Sequence, residues 1–176
     1  MSTIPGKMVE GLFKKVLAGD VSPQLLGQLA EAGLDLTAPP PANYPRTTWY
    51  RAIELTAASL YPTDARPEQL RKLGAHIIDS LKTRGIIKGA WLSMAKLMGP
   101  RRALRQAMDF LDRSPVKLEI TERTKTEFEI LVDDPEQPEF LAGLLQKAID
   151  MLGGKDAAVS PLPPRPGASL FRATWR

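Results

Sequence analysis

Near Pro115 the hydrophobic period of the chain changes from helical to alternating, and nothing else in the sequence constrains the fold as much. Beyond that point Val116, Leu118 and Ile120 alternate with Lys117, Glu119 and Thr121. After a polar connection at Arg123 to Lys125, Phe128, Ile130 and Val132 alternate with Glu127, Glu129 and Asp133. A period of two puts alternate side chains on opposite faces, so this spacing predicts a two-stranded antiparallel hairpin with one dry face and one wet face. A helix follows from Pro138 to Leu152, with Leu141, Leu144, Leu145, Ala148 and Leu152 as its stripe and Gly153-Gly154 as its stop. Two strands, about 157–162 and 170–175, close the chain around the turn PPRPG.

Upstream the period is helical. Met8, Leu12, Phe13, Val16 and Leu17 mark a helix over 5–18, and Ser22-Pro23 opens a second that runs to Gly33. The segment TAPPPANYP cannot continue a helix, because proline lacks the donor and restricts its predecessor, and it reads as an exposed loop. Further helices are expected over 46–60, 66–83, 86–98 and 101–111, punctuated by Tyr61-Pro62, Gly85 and Gly99-Pro100. Helices followed by strand, strand, helix, strand, strand predict an α+β fold: an N-terminal helical section, then a four-stranded antiparallel sheet (β-β-α-β-β) covered by helices. At 176 residues the expectation is a single domain, 1–176. Within it lie a helical pair at 1–38, a proline-rich loop at 39–45, a helical section at 46–114 and the β-β-α-β-β section at 115–176.

Charge is polarised along the chain. The stretch 82–108 holds Lys82, Arg84, Lys88, Lys96, Arg101, Arg102 and Arg105 without an acid, whereas 119–139 holds eight acids against Arg123 and Lys125. The overall excess, 24 basic against 20 acidic residues, decides little. A chain without cysteine has no disulfide framework, thiolate metal site or cysteine nucleophile. Neither a signal-peptide core nor an apolar run of spanning length is visible, which places the chain in the cytoplasm without membrane insertion.

The C-terminal section, PEFLAGLLQKAIDMLGGKDAAVSPLPPRPGASLFRATW, has a leucine-rich helix with an internal glycine and then a hairpin ending in an aromatic residue. There it resembles the end of the haem-nitric-oxide-binding-like and four-vinyl-reductase domains. Over nearly the whole chain, GKMVEGLFKK, YPRTTWY, the LGAHIIDSL helix and the MGPRRAL turn resemble a myxobacterial family, a domain of unknown function. The resemblance implies a four-stranded sheet with helices packed on it, lining a space that relatives use for small ligands, haem or partner proteins. It carries neither haem nor metal over. His76 is the one histidine, Tyr44, Tyr50 and Tyr61 all precede it, and the tyrosine-serine-arginine signature that holds the haem propionates is missing after it. No cofactor is therefore expected.

Several residues are candidate sites. Arginines at the start of a helix sit against its partial positive charge, so Arg101, Arg102 and Arg105 either hold an anion there or pair with the acidic stretch of this or a neighbouring chain. Nucleic acid fits poorly, since the basic stretch contains one aromatic, Trp91, and no binding motif. A pocket where the late helices meet the sheet would draw its lining from Trp91, Met94, Met98 and Met108. His76 lacks a companion nucleophile and reads as a locally bonded boundary residue. Asp133-Asp134 with Glu136 lacks the ligand spacing of a calcium loop and reads as a hairpin exit. With no catalytic constellation, the sequence points to a non-enzymatic regulatory or sensor-like module that binds a small ligand or a partner protein. The alternative is an assembly protein that sets its basic helical face against an acidic surface, in a homo-oligomer or with another protein.

Overall fold

A computed structural model describes residues 3–111, 117–134 and 136–176, and the side chains of 107–111 lie outside that description. Strand β1 (Thr3–Pro5) leads into helix α1 (Gly6–Gly11), which continues as a π-helical turn over Leu12–Val16. Helix α2 (Pro23–Glu31) starts as expected, with the Ser22 hydroxyl accepting from the Leu25 amide at 3.1 Å and proline at the first helical position. Strand β2 (Asn43–Pro45) precedes α3 (Arg46–Leu60) and α4 (Arg66–Thr83). Then come α5 (Gly89–Met98), α6 (Pro100–Leu111), β3 (Leu118–Thr124), β4 (Glu127–Val132), α7 (Pro138–Met151), β5 (Ala158–Arg165) and β6 (Ala168–Thr174). No helix among the described residues is long and apolar enough to cross a membrane.

The antiparallel sheet predicted from the alternating stretch is present, in the order β3-β4-β6-β5. Phe128, Ile130 and Val132 are buried on one face, where Ile130 stands opposite Phe171 and Phe128 opposite Ala173. Prolines 161, 163 and 164 are tolerated because β5 is an edge strand and has no outer neighbour needing its amides.

Three readings of the sequence change. The first helix begins only at Gly6, and the proline-rich loop of 39–45 ends in a strand: β1 and β2 pair antiparallel, Ile4 opposite Tyr44. Both residues precede a proline, which drives them out of the helical region and into extended backbone. Tyr44 is thereby only 6% exposed rather than lying on an open loop. The helix expected over 86–98 begins at Gly89.

Helix α7 divides the interior. On one side Phe140 joins Phe13, Leu25, Leu29, Ile53 and Leu73 in a core built by the first four helices. On the other, Ala142 and Ile149 pack with Phe128, Ile130, Phe171 and Trp175 over the sheet, joined by Ala95 of α5 and Ala103 and Leu104 of α6. Leu141 touches both cores.

Candidate functional site

The described side chains of the basic stretch turn largely to solvent or to partners within the chain. Trp91 and Met94 of α5 face solvent, Leu97 between Lys96 and Met98 is 89% exposed, and Met98 is half-buried, while only Leu92 and Ala95 of that helix turn inward. Met108 belongs to α6, but its side chain lies outside the described residues. Arg101 and Arg105 are engaged within the chain by Glu122 of β3: Arg101 Nη2 approaches Oε1 at 2.7 Å and Arg105 Nη2 reaches Oε2. The Arg101 hydrogen bond, aided by the charge of both arginines, holds the Glu122 carboxyl below the usual range. Arg102 is exposed and has no acidic partner among the described residues. His76 meets Asp20 at 3.0 Å and Ser80 at 3.4 Å, whereas Asp79 pairs with Lys147.

The space lies elsewhere. A cavity of about 260 Å³ opens between the N-terminal core and the sheet. Ile4, Met8 and Leu12 come from the first segment, Trp49 from α3 and Ile77 from α4. Leu118 and Val132 supply the sheet side, and Phe140, Leu141, Leu144 and Leu145 of α7 the remaining wall. Helix α7 and the sheet line this cavity, and none of the described side chains of α5 or α6 does.

Among the described residues one ionisable group faces this space, Asp134. It sits two residues past β4, held by Ser169 Oγ donating to its backbone carbonyl at 2.6 Å and by its own amide donating to the Val132 carbonyl at 2.7 Å. Its Oδ1 accepts from Tyr50 Oη at 2.7 Å and from the Glu136 amide at 3.1 Å. Arg46 donates to the Asp133 carbonyl at 3.2 Å, and Gln137, in left-handed backbone conformation at φ 51, donates to the Tyr50 carbonyl at 2.7 Å. Burial raises the Asp134 carboxyl above the usual range against the lowering pull of Tyr50. Burial likewise pushes the Tyr50 hydroxyl far up, reinforced by its bond to Asp134. A buried acid next to an apolar space has a hydrogen-bonding demand that bulk water does not meet. No sequence signal pointed to it; the two aspartates look like an ordinary hairpin exit.

Residues 2–176 match the model of the family described as Protein of unknown function (DUF2378), and the chain belongs to that family. No curated protein matches it. Solved structures do. An oxygen-binding H-NOX domain related to soluble guanylate cyclases, in its oxygen complex, is 12% identical at a TM-score of 0.60, over 98% of this chain and 95% of that one. A mutant of an H-NOX protein from K. algicida, in its Fe(II) unliganded form, is 11% identical at a TM-score of 0.64, over 95% and 96%. A structure concerned with tuning haem redox potential through protein-induced porphyrin distortion is 13% identical at 0.61, over 98% and 95%. The likeness expected for the C-terminal section therefore extends along nearly the whole chain, and it concerns the fold.

The donor set here does not suit haem. Among the described residues the cavity wall contains no histidine, cysteine, arginine or lysine, so it offers neither an imidazole or thiolate for an iron nor a cation for propionates, and its one charged group is an acid. His76 is turned to Asp20 instead. Among the described residues no group of three or more histidines, cysteines and acids stands together as a metal site.

Proposed function

For this member of the DUF2378 family, we propose a non-enzymatic, sensor-like role in which the cavity between the N-terminal core and the sheet takes up a small, largely apolar ligand. The observation that carries the reading is the cavity itself: about 260 Å³, walled by apolar side chains from helices and strands distant in sequence, with one buried carboxyl among the described residues. Concave apolar sites with one or two convergent polar groups are the usual form of a small-molecule site. A wall built from elements this far apart in the chain also gives an occupant a way to alter how the two cores sit against α7. The H-NOX fold of the neighbours supports the reading, and the donor set directs it away from their haem. A thermal-shift screen with compact apolar compounds tests it. A ligand at a hundred times its Kd should stabilise the fold by about 2.7 kcal/mol, and the shift should saturate. The absence of any saturable shift across such a set would refute the reading.

A second reading concerns α5, where Trp91, Met94 and Leu97 stand three residues apart on one exposed face and Ile86, three residues ahead of the helix, is exposed as well. A helix apolar on most sides is normally covered. Lys88 at the N-cap of α5 and Lys96 within it, like Arg84 and Arg102 in the flanking segments, have no acidic partner among the described residues. The hairpin's Glu122, Glu127 and Glu129 are already paired with arginines of their own chain, so a second copy offers these groups little. The surface instead suits another protein presenting apolar residues inside an acidic rim. A synthetic amphipathic peptide with leucine and glutamate faces should bind, weaken with salt, and be lost in Leu97→Glu. Capture by anionic vesicles in place of the peptide, or dimerisation of the protein alone in sedimentation, would overturn this assignment.

A further inference from the structure

The polar side of the cavity has a direction. Asp134 Oδ1 is fully used, accepting from Tyr50 and from the Glu136 amide. Oδ2 has no hydrogen-bond partner among the described residues, although Asp134 is only 6% exposed. Nor is it sealed in: among the described residues the enclosed side-chain atoms without a partner are Arg46 Nε, Arg101 Nε and Gln137 Oε1, and Oδ2 is not one of them. An oxygen that keeps open space next to it, in a residue lining the cavity, presents that space with an acceptor. Arg46, the nearby cation, donates to the Asp133 carbonyl and forms no part of the wall, so it gives an anionic ligand no partner there.

Resting on the reading of the cavity as a ligand site, we propose that its ligand class is an apolar body carrying one hydrogen-bond-donating head, a hydroxyl or an amine, which meets Asp134 Oδ2. Such a head satisfies the oxygen that the fold leaves over. A carboxylate or phosphate head brings only acceptors and like charge to the same place, so fatty acids and phosphate esters are rejected by the chemistry that admits alcohols and amines.

Four probes of equal chain length test this by calorimetry: 1-octanol, octylamine, octanoate and octane. With the wild-type protein, octanol and octylamine should bind at least about tenfold more tightly than octanoate, the scale of one hydrogen bond to a charged group. Asp134→Asn makes the test sharper. Tyr50 donates to Oδ1, so the amide oxygen stays on that side and the NH₂ takes the position of Oδ2, turning an acceptor into a donor. Octanoate should then gain and octylamine lose about tenfold. Octanoate binding as well as octanol to the wild type would overturn the head-group assignment whether or not the variant folds, and so would an unchanged ranking in a folded Asp134→Asn. Equal binding of all four sinks that assignment while leaving the cavity a ligand site. Binding of none sinks both.

Discussion

Helices α4 and α7 meet in two quite different ways along one seam. At Gly74 and Gly143 their backbones touch: a Cβ on Gly74 would sit 2.2 Å from the Phe140 carbonyl oxygen, and one on Gly143 2.0 Å from that of Arg71. Ile77, three residues beyond Gly74, and Leu144, next to Gly143, instead face the open cavity. The difference teaches that the void is not loose packing. Two helices locked at van der Waals contact cannot close onto the space beside them, and Arg71 ties the seam further, donating to Glu139 of α7 at 2.7 Å and to the Val159 carbonyl of β5 at 3.1 Å. Tight packing at one point thus preserves emptiness at the next.

The largest effect should come from breaking the tight end. Gly143→Ala and Gly74→Ala each drive a methyl group into backbone atoms, which cannot yield by a rotamer change, so the helices must part. A loss on the order of 3 kcal/mol is expected in urea unfolding, with Tm lower by about 10 °C. A loss below about 1 kcal/mol would mean that the seam is not what sets the spacing of the two cores.

Next in size is the polar side of the open end. Tyr50→Phe leaves Asp134 Oδ1 with the Glu136 amide alone, at a cost of about 1–3 kcal/mol. The pH dependence follows from the sign of the shift. Burial raises the folded-state carboxyl above its ordinary 3.8, so the native state holds this proton more tightly than the unfolded chain. The contribution of Asp134 to stability therefore falls as pH rises from 3.8 through the raised value, and stays low above it. Glu122 and Glu129, lowered by their arginines, act in the opposite sense, their contributions being lost as pH falls. Tm measured against pH should show Asp134→Asn gaining on the wild type as pH rises through this window, and Tyr50→Phe moving the window upward. A difference that stays constant with pH would mean that the carboxyl is not buried.

How much of this was legible follows from the range of the interactions. The hairpin β3-β4 could be read because alternation is a local property, and α2 because Ser22-Pro23 caps it within one turn. The pairing of β1 with β2 left a local trace in Ile4-Pro5 and Tyr44-Pro45, yet which extended segment meets which is settled about forty residues apart by burial of Ile4 and Tyr44 in one core. The seam glycines were visible as glycines but not as partners. The lining expected from Trp91, Met94, Met98 and Met108 rests on methionines and a tryptophan in a basic stretch looking like pocket wall, whereas α5 turns Trp91 and Met94 outward. The polar group that lines the cavity is held by Tyr50 and Ser169 around Asp134, which no spacing rule connects.

The smallest stability effect should come from adding volume at the open end, one residue from the most damaging position. Leu144→Phe enlarges a side chain that already lines the cavity, and extra volume that would cost about 1–3 kcal/mol in a filled core has space to enter here. Unfolding free energy should stay within about 1 kcal/mol of the wild type while the affinity for 1-octanol drops at least about tenfold. The pairing of this variant with Gly143→Ala is what separates seam from cavity. If Leu144→Phe were as damaging as Gly143→Ala, the wall at Leu144 would be packed like the seam; if it left both stability and octanol binding intact, octanol would be binding outside this space. Only a stable protein that no longer takes the ligand fits helices held apart by contact at one point around a space kept open at the next.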